Sequence, residues 1–286
     1  MEADLQSVFI PSSIYLYEEK TAETLDLRKI ADYLEGKIEG IKVRLRAPFL
    51  FHFLSSYPPE RRDQTIDHLA RRFAGARVKD PSKPDRSFRP MPVEIEYEKR
   101  RLKQPDFKAF GILYNGTEVQ RILRDLIPRK ESGLRHVHIV FTNQFIGTWD
   151  EGDLRYHARV ALYGMPSVIS TTGVVEAPAK PREYYLLRNQ LRATGADEAA
   201  FLELKERFAD RFIDHDDPRL TQILKGYVMQ AVFFHMTGDP FCDDATCRLY
   251  NAHWQEEMIR AQLTSEREFC SRHQEILRKI RSKKGS

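Results

Sequence analysis

Hydrophobic and polar positions follow two different periods along this chain, and the switch between them divides it. A short apolar, β-rich run covers residues 13–17 (SIYLY). Asp26 then stands where a helix is capped, ahead of Leu27, Ile30, Ala31 and Leu34 at helical spacing up to Gly36. Ile41, Val43 and Leu45 alternate with Lys42, Arg44 and Arg46, the period of a half-buried strand. Pro58 and Pro59 lead into a helical pattern over 60–73, where Ile66, Leu69, Ala70 and Phe73 form one stripe. Residues 79–92 carry four prolines among polar residues and predict a loop.

Further along, 135–143 (RHVHIVFTN) is a β-branched run suited to a buried central strand. Two more strands are expected over 156–163 and 168–175, separated by the turn signal Gly164-Met165-Pro166. After Pro178, Pro181 and Gly195 the pattern becomes helical, with Phe201, Leu204, Phe208 and Phe212 on one face. Strands alternate with helices early and helices crowd late. This order predicts an α/β (α+β) fold in one domain, a mixed twisted sheet over 1–215 and a helical part over 216–286.

The helical part carries the chemistry. Asp217-Pro218 is a helix entry, and Leu220, Ile223, Leu224, Tyr227, Val228, Ala231 and His235 share one face. His235 is therefore expected to point into the interior or a cleft, with Gly238 ending the helix. Cys242 and Cys247 follow on a loop, and Cys270 and His273 stand three apart in a second helix that Ser265 and Glu268 would open as a capping box. A loop-borne Cys pair plus a helical Cys/His pair can close a tetrahedral zinc site and leaves no thiol over. The competing reading makes the cysteines small apolar fillers. Spacing favours one structural zinc on Cys242, Cys247, Cys270 and His273.

Composition narrows the rest. The chain has 286 residues, of which 41% are hydrophobic and 31% charged, enough to bury a core and stay in solution. The net charge of +4 is a weak field that argues against nucleic acid as partner. No apolar run approaches a bilayer span, and MEADLQ lacks the basic and apolar regions of a signal peptide. Three cysteines exclude a disulfide framework and suit a reducing, cytoplasmic setting.

The C-terminal spacing resembles that of the archaemetzincins, within the metzincin clan of zinc peptidases. Those proteins carry a helix ending HExxHxxG, then three residues, a Cys, four residues, a second Cys, and later a CxxC. His235, Gly238, Cys242, Cys247, Cys270 and His273 stand at matching places, His273 replacing the last cysteine. The opening strand-helix-strand, HVHIVFTN and SVISTTG resemble the family's N-terminal part, central strand and substrate-flanking edge strand. The resemblance implies a metzincin-like fold and a structural zinc on the four ligands.

The same comparison exposes a departure. Such a peptidase needs three imidazoles on one zinc and a glutamate beside it. The first histidine falls at Ala231, the glutamate at Val232 and the third histidine at Phe241, so only His235 of the HExxHxxGxxH set remains. Leu249 takes the place of a methionine, a packing-conservative change. The resemblance thus implies a peptidase homologue without conventional activity. Val168, Ser170, His235 and Gly238 would wall a cleft that holds a peptide or protein by strand addition. A second reading keeps an active hydrolase with a non-standard metal set around His235, for which His136, His138, His253 and Glu176 are candidates. A third is a structural or interaction module. The basic runs at 61–62, 71–72 and 99–101 read as solvated faces, and 278–284 as a tail.

Overall fold

A computed structural model describes residues 8–84 and 89–284, with side chains to residue 280. In chain order it begins with β1 (Ser13–Tyr17), α1 (Leu27–Lys37), β2 (Lys42–Arg46), α2 (Phe49–Leu54), α3 (Pro59–Gly75) and α4 (Pro92–Lys103). Next come β3 (Leu113–Asn115), α5 (Gly116–Arg124), β4 (His136–Thr142), β5 (Phe145–Asp150), β6 (Arg155–Arg159), β7 (Ala161–Leu162) and β8 (Ser167–Ser170). The rest is helical: α6 (Thr171–Glu176), α7 (Arg182–Ala193), α8 (Glu198–Arg207), α9 (Leu220–Thr237), α10 (Gln255–Ile259), a π-helical turn at Arg260–Thr264 and α11 (Ser271–Lys284).

The main sheet has the order β2-β1-β4-β8-β7, parallel through its first four strands and closed by antiparallel β7. A smaller sheet, β3-β5-β6, stands beside it. Both faces of the main sheet are covered, which explains why β1 and β4 read as continuous apolar runs rather than alternating ones. Ile14, Leu16, Val137, Ile139 and Phe141 face a core with α1 and α9, while Tyr15, Tyr17 and Val140 face a second core with α2, α3 and α5. Asp26 caps α1 as expected, accepting from the Lys29 amide.

Several expectations are corrected by packing. β2 is an edge strand, so its alternation does not bury every apolar residue: Leu45 is 39% exposed. Arg46 turns inward instead, its guanidinium 3.6 Å from the centroid of the Tyr15 ring and hydrogen-bonded to the Tyr17 hydroxyl and to Glu131. The strand expected over 168–175 stops at Ser170, whose hydroxyl accepts from the Gly173 amide and starts α6. The helical stripe of 201–212 breaks after Arg207, yet Leu204, Phe208 and Phe212 still meet, together with Tyr184. Pro92 opens α4 and so ends the expected loop; residues 85–88 lie outside the described residues. In that helix Arg101 is not solvated, being bonded to the fully buried carboxylate of Glu98.

The largest correction concerns α9. It is buried on nearly every side rather than along one stripe, because α1 and the sheet lie against it and the π-helical turn crosses it. At that crossing a Cβ added to Gly226 would fall 1.9 Å from Gln262 Oε1. Helix entry is also later than expected: Asp217 accepts from the Arg219 amide in a turn and α9 starts at Leu220.

Candidate functional site

Two neighbouring sites hang on α9. Gly238 ends the helix at φ +78°, a left-handed position that suits glycine. The chain then turns back as a knuckle in which the Cys242 amide donates to the Leu249 carbonyl and the Cys247 amide to Asp244. Asp244 fixes this turn by accepting from the amide and hydroxyl of Thr246. The other ligand pair sits at the start of α11. Cys270 is the capping residue, its carbonyl accepting from the Gln274 amide, and His273 lies in the first turn. The capping box expected from Ser265 is absent, since the Ser265 hydroxyl donates to the Arg260 carbonyl and closes the π-helical turn.

The four side chains converge. Cys242 Sγ lies 3.8 Å from Cys270 Sγ, Cys247 Sγ 3.6 Å from His273 Nδ1, and Cys270 Sγ 3.1 Å from the same nitrogen. All four donor atoms fall within 4.8 Å of one another. Ligands about 2.3 Å (sulfur) and about 2.0 Å (nitrogen) from a tetrahedral zinc stand about 3.5 to 3.8 Å apart, so the set fits that ion. Among the described residues no other cluster of three or more His, Cys, Asp or Glu groups has this convergence. Burial pushes the Cys242 thiol up to about 12 and raises that of Cys247, so only a cation can hold them as thiolates. Burial also lowers His273, keeping its imidazole neutral and able to donate a lone pair. The Asp244 amide, 3.4 Å from Cys242 Sγ, adds a donor toward the sulfur.

The second site is a groove of about 160 Å³ on the other side of α9. Residues 158–161 line one side, Tyr227 and Gln230 of α9 another, and Phe241 with residues 250–253 the third. Gln230 is clamped: its Oε1 accepts from the Tyr163 hydroxyl at 2.5 Å and its Nε2 donates to the Tyr250 carbonyl at 3.1 Å. The Tyr163 ring lies 5.8 Å from Phe241 and 6.2 Å from Phe234, centroid to centroid. Burial pushes the phenols of Tyr163 and Tyr227 up, so both remain protonated.

His235 does not join this groove. Its Nε2 donates to the Leu134 carbonyl, just before β4, and its ring meets Phe9 edge-on at 6.4 Å. Ala231 and Val232 are fully buried. Val168 and Ser170 are also at 0% exposure, because β8 is paired on both sides, so the cleft wall expected there is not open to solvent. The edge of the main sheet on this side is the two-residue β7 instead, while Gly238 is exposed beyond the helix end. Gln230, Tyr163 and Tyr250 were not anticipated. Gln230 does carry a signal in the sequence, an amide within the apolar run 227–234, three from Tyr227 and four from Phe234.

The remaining candidates are occupied elsewhere. His138 is 1% exposed on β4; its Nδ1 accepts from the Tyr17 hydroxyl at 2.8 Å and its Nε2 donates to the Glu131 carbonyl at 2.9 Å. Burial lowers it to about 4, so it stays neutral. His136 Nδ1 pairs with the Tyr15 hydroxyl, and Glu176 is exposed, 3.9 Å from His215. His253 lines the groove but is exposed.

Residues 10–280 match the profile of a group described as "Probable metallopeptidase family (DUF6775)". The chain belongs to this family. None of the curated proteins compared matches it. Among solved structures, that of archaemetzincin from Methanopyrus kandleri superposes over 95% of this chain and 96% of its own, with a TM-score of 0.45 and 11% identity. No described helix is long and apolar enough to cross a membrane.

Proposed function

We propose that this member of the metallopeptidase family is a peptide-binding homologue without conventional peptidase activity, carrying one structural zinc on Cys242, Cys247, Cys270 and His273. The observation that carries the reading is the Gln230 clamp. In a HExxH peptidase the groove face of the equivalent helix presents imidazoles and a glutamate. Here the places of those groups hold Ala231, Val232, His235 and Phe241, and the groove beside them presents an amide locked to Tyr163 and Tyr250, with Phe234 next to it. An amide and two protonated phenols neither hold zinc nor accept a proton near neutrality. The short edge strand β7 borders the groove and would offer main-chain groups to an extended peptide, with Tyr163 and Phe241 supplying apolar contact for its side chains.

Metal counting tests the reading. Purified protein is expected to hold one zinc per chain, to leave a mixed peptide library uncleaved, and to retain a subset of its peptides. Two metals per chain, the second removed by mild chelation together with a peptidase activity, would refute it. The alternative of a non-standard metal site around His235 has no comparable support, since among the described residues His235 joins no group of three or more His, Cys, Asp or Glu side chains.

A further inference from the structure

We infer that a second, separate site binds a phosphate group beside Tyr33, in the cavity between α1, α9 and the loop that follows the π-helical turn. The cavity holds about 380 Å³ and shares no lining residue with the groove at Gln230. Tyr33 and Lys37 of α1, Gln222 of α9, Arg248 next to Cys247, and residues 261–263 and 265–268 line it.

Three cations gather on the Tyr33 ring. Lys37 Nζ, Lys225 Nζ and Arg248 Cζ lie 5.6, 5.4 and 5.4 Å from its centroid. Like charges held this close and partly out of water need a counter-ion. One is present: Glu268, whose carboxylate pairs with Lys37 and lies 3.4 Å from Arg248 Nη1. It does not meet the whole demand. Arg248 is 7% exposed, and its Nε and Nη1 have no hydrogen-bond acceptor; its Nη2 alone donates, to the Gln262 carbonyl. Half-buried Lys225 forms no ion pair among the described residues, and burial together with the neighbouring Arg248 guanidinium lowers its ammonium.

The other charges nearby leave this demand in place. Lys29 and Asp26 pair with each other at 3.4 Å. At the rim Glu266 and Arg267 are exposed and opposite in sign, and Arg267 also faces Asp244 of the knuckle. Lys37, Lys225, Arg248 and Arg267 set against Glu266, Glu268 and Asp244 leave one positive charge over. The donors come from α1, α9 and the knuckle, so their ligand must present oxygens on three sides. A tetrahedral phosphate does so, and a planar carboxylate does not.

Titrating the purified full chain with inorganic phosphate at fixed ionic strength, followed by protein-observed NMR, tests the assignment, with acetate and phosphoserine as comparison ligands. Phosphate is expected to saturate one site, with acetate about tenfold weaker or worse. Phosphoserine binding tighter than phosphate would identify a phosphorylated chain as the source, and equal or weaker binding the free ion. Lys225→Gln should weaken phosphate about tenfold with fold and zinc content unchanged, since the ammonium has no ion pair to lose. Should that variant misfold, Gln222→Glu adds a carboxylate to the lining and is expected to abolish saturation. Absence of saturation, equal affinity for acetate, or unchanged affinity in a folded variant would overturn the inference.

Discussion

The two faces of α9's C-terminal half carry contrasting polar arrangements. On the face toward the knuckle and α11, four donor atoms converge at distances that suit a tetrahedral zinc. On the groove face a few residues away, the polar group is an amide held by a phenol and a carbonyl. The first arrangement needs a cation to ionise its thiols; the second satisfies itself. A metal that ties a loop to a helix contributes to folding whatever happens to catalysis. A buried amide whose donor and acceptor are both met makes no such demand on a metal.

The largest effect should come from breaking the metal side. In Cys242→Ser with Cys247→Ser, zinc measured by elemental analysis should fall from one per chain to near zero. The melting curve should show a loss of roughly 3 kcal/mol or more, since among the described residues the ion pair between the knuckle segment and α11, Arg272 with Asp239, is exposed and weak. Full zinc content in that variant would sink the assignment and, with it, the contrast between the two faces.

Acid separates metal loss from a second buried imidazole. His138 sits near 4 in the folded chain against its ordinary value of 6.5, so the unfolded chain binds more protons between those limits. The contribution of neutral His138 is therefore complete above pH 6.5 and is lost as pH falls toward 4, by up to about 3 kcal/mol. Urea titrations across this window should show the loss in the cysteine variant too, where no zinc remains to be displaced. If acid sensitivity vanishes with the zinc, His138 is not its source.

A smaller effect tests the crossing that holds the two faces in place. Gly226→Ala drives a methyl against the Gln262 side chain, whose Nε2 is bonded to the Arg248 carbonyl next to Cys247. Overpacking with loss of that bond should cost about 1 to 2 kcal/mol in chemical denaturation while zinc content holds. Unchanged stability would mean that the π-helical turn yields and that the packing around α9 is looser than described.

Much of this was legible in advance, for identifiable reasons. Ligand chemistry is local: Cys242, Cys247, Cys270 and His273 lie within 32 residues of one another in the sequence, and spacing alone grouped them. Strand β4 and helix α3 announced themselves by composition and period. The groove did not, because it depends on which face of α9 meets which partner, and a helix buried on all sides has no apolar stripe from which to read orientation. His235 was expected inward by counting residues along such a stripe. The short elements α2, β3, β5 and α5 carry no period long enough to announce them. Their residues are set by contacts with distant chain segments, such as the parallel pairing of Leu113 with Phe145.

The smallest perturbation bears most directly on the groove. Tyr163→Phe removes one hydroxyl and leaves Gln230 Oε1 without its donor, at a cost of about 1 kcal/mol. Because Gln230 is 1% exposed, no water readily replaces that donor, and the amide must turn or stay unsatisfied. Either outcome leaves the Cys/His cluster untouched, so zinc should stay at one per chain while the affinity for groove-bound peptide changes. A cleft that held a metal would respond differently, since altering a tyrosine beside the ion would change metal content or its exchange rate. Loss of any bound metal in Tyr163→Phe would therefore place an ion in the groove and erase the difference between the two faces of α9.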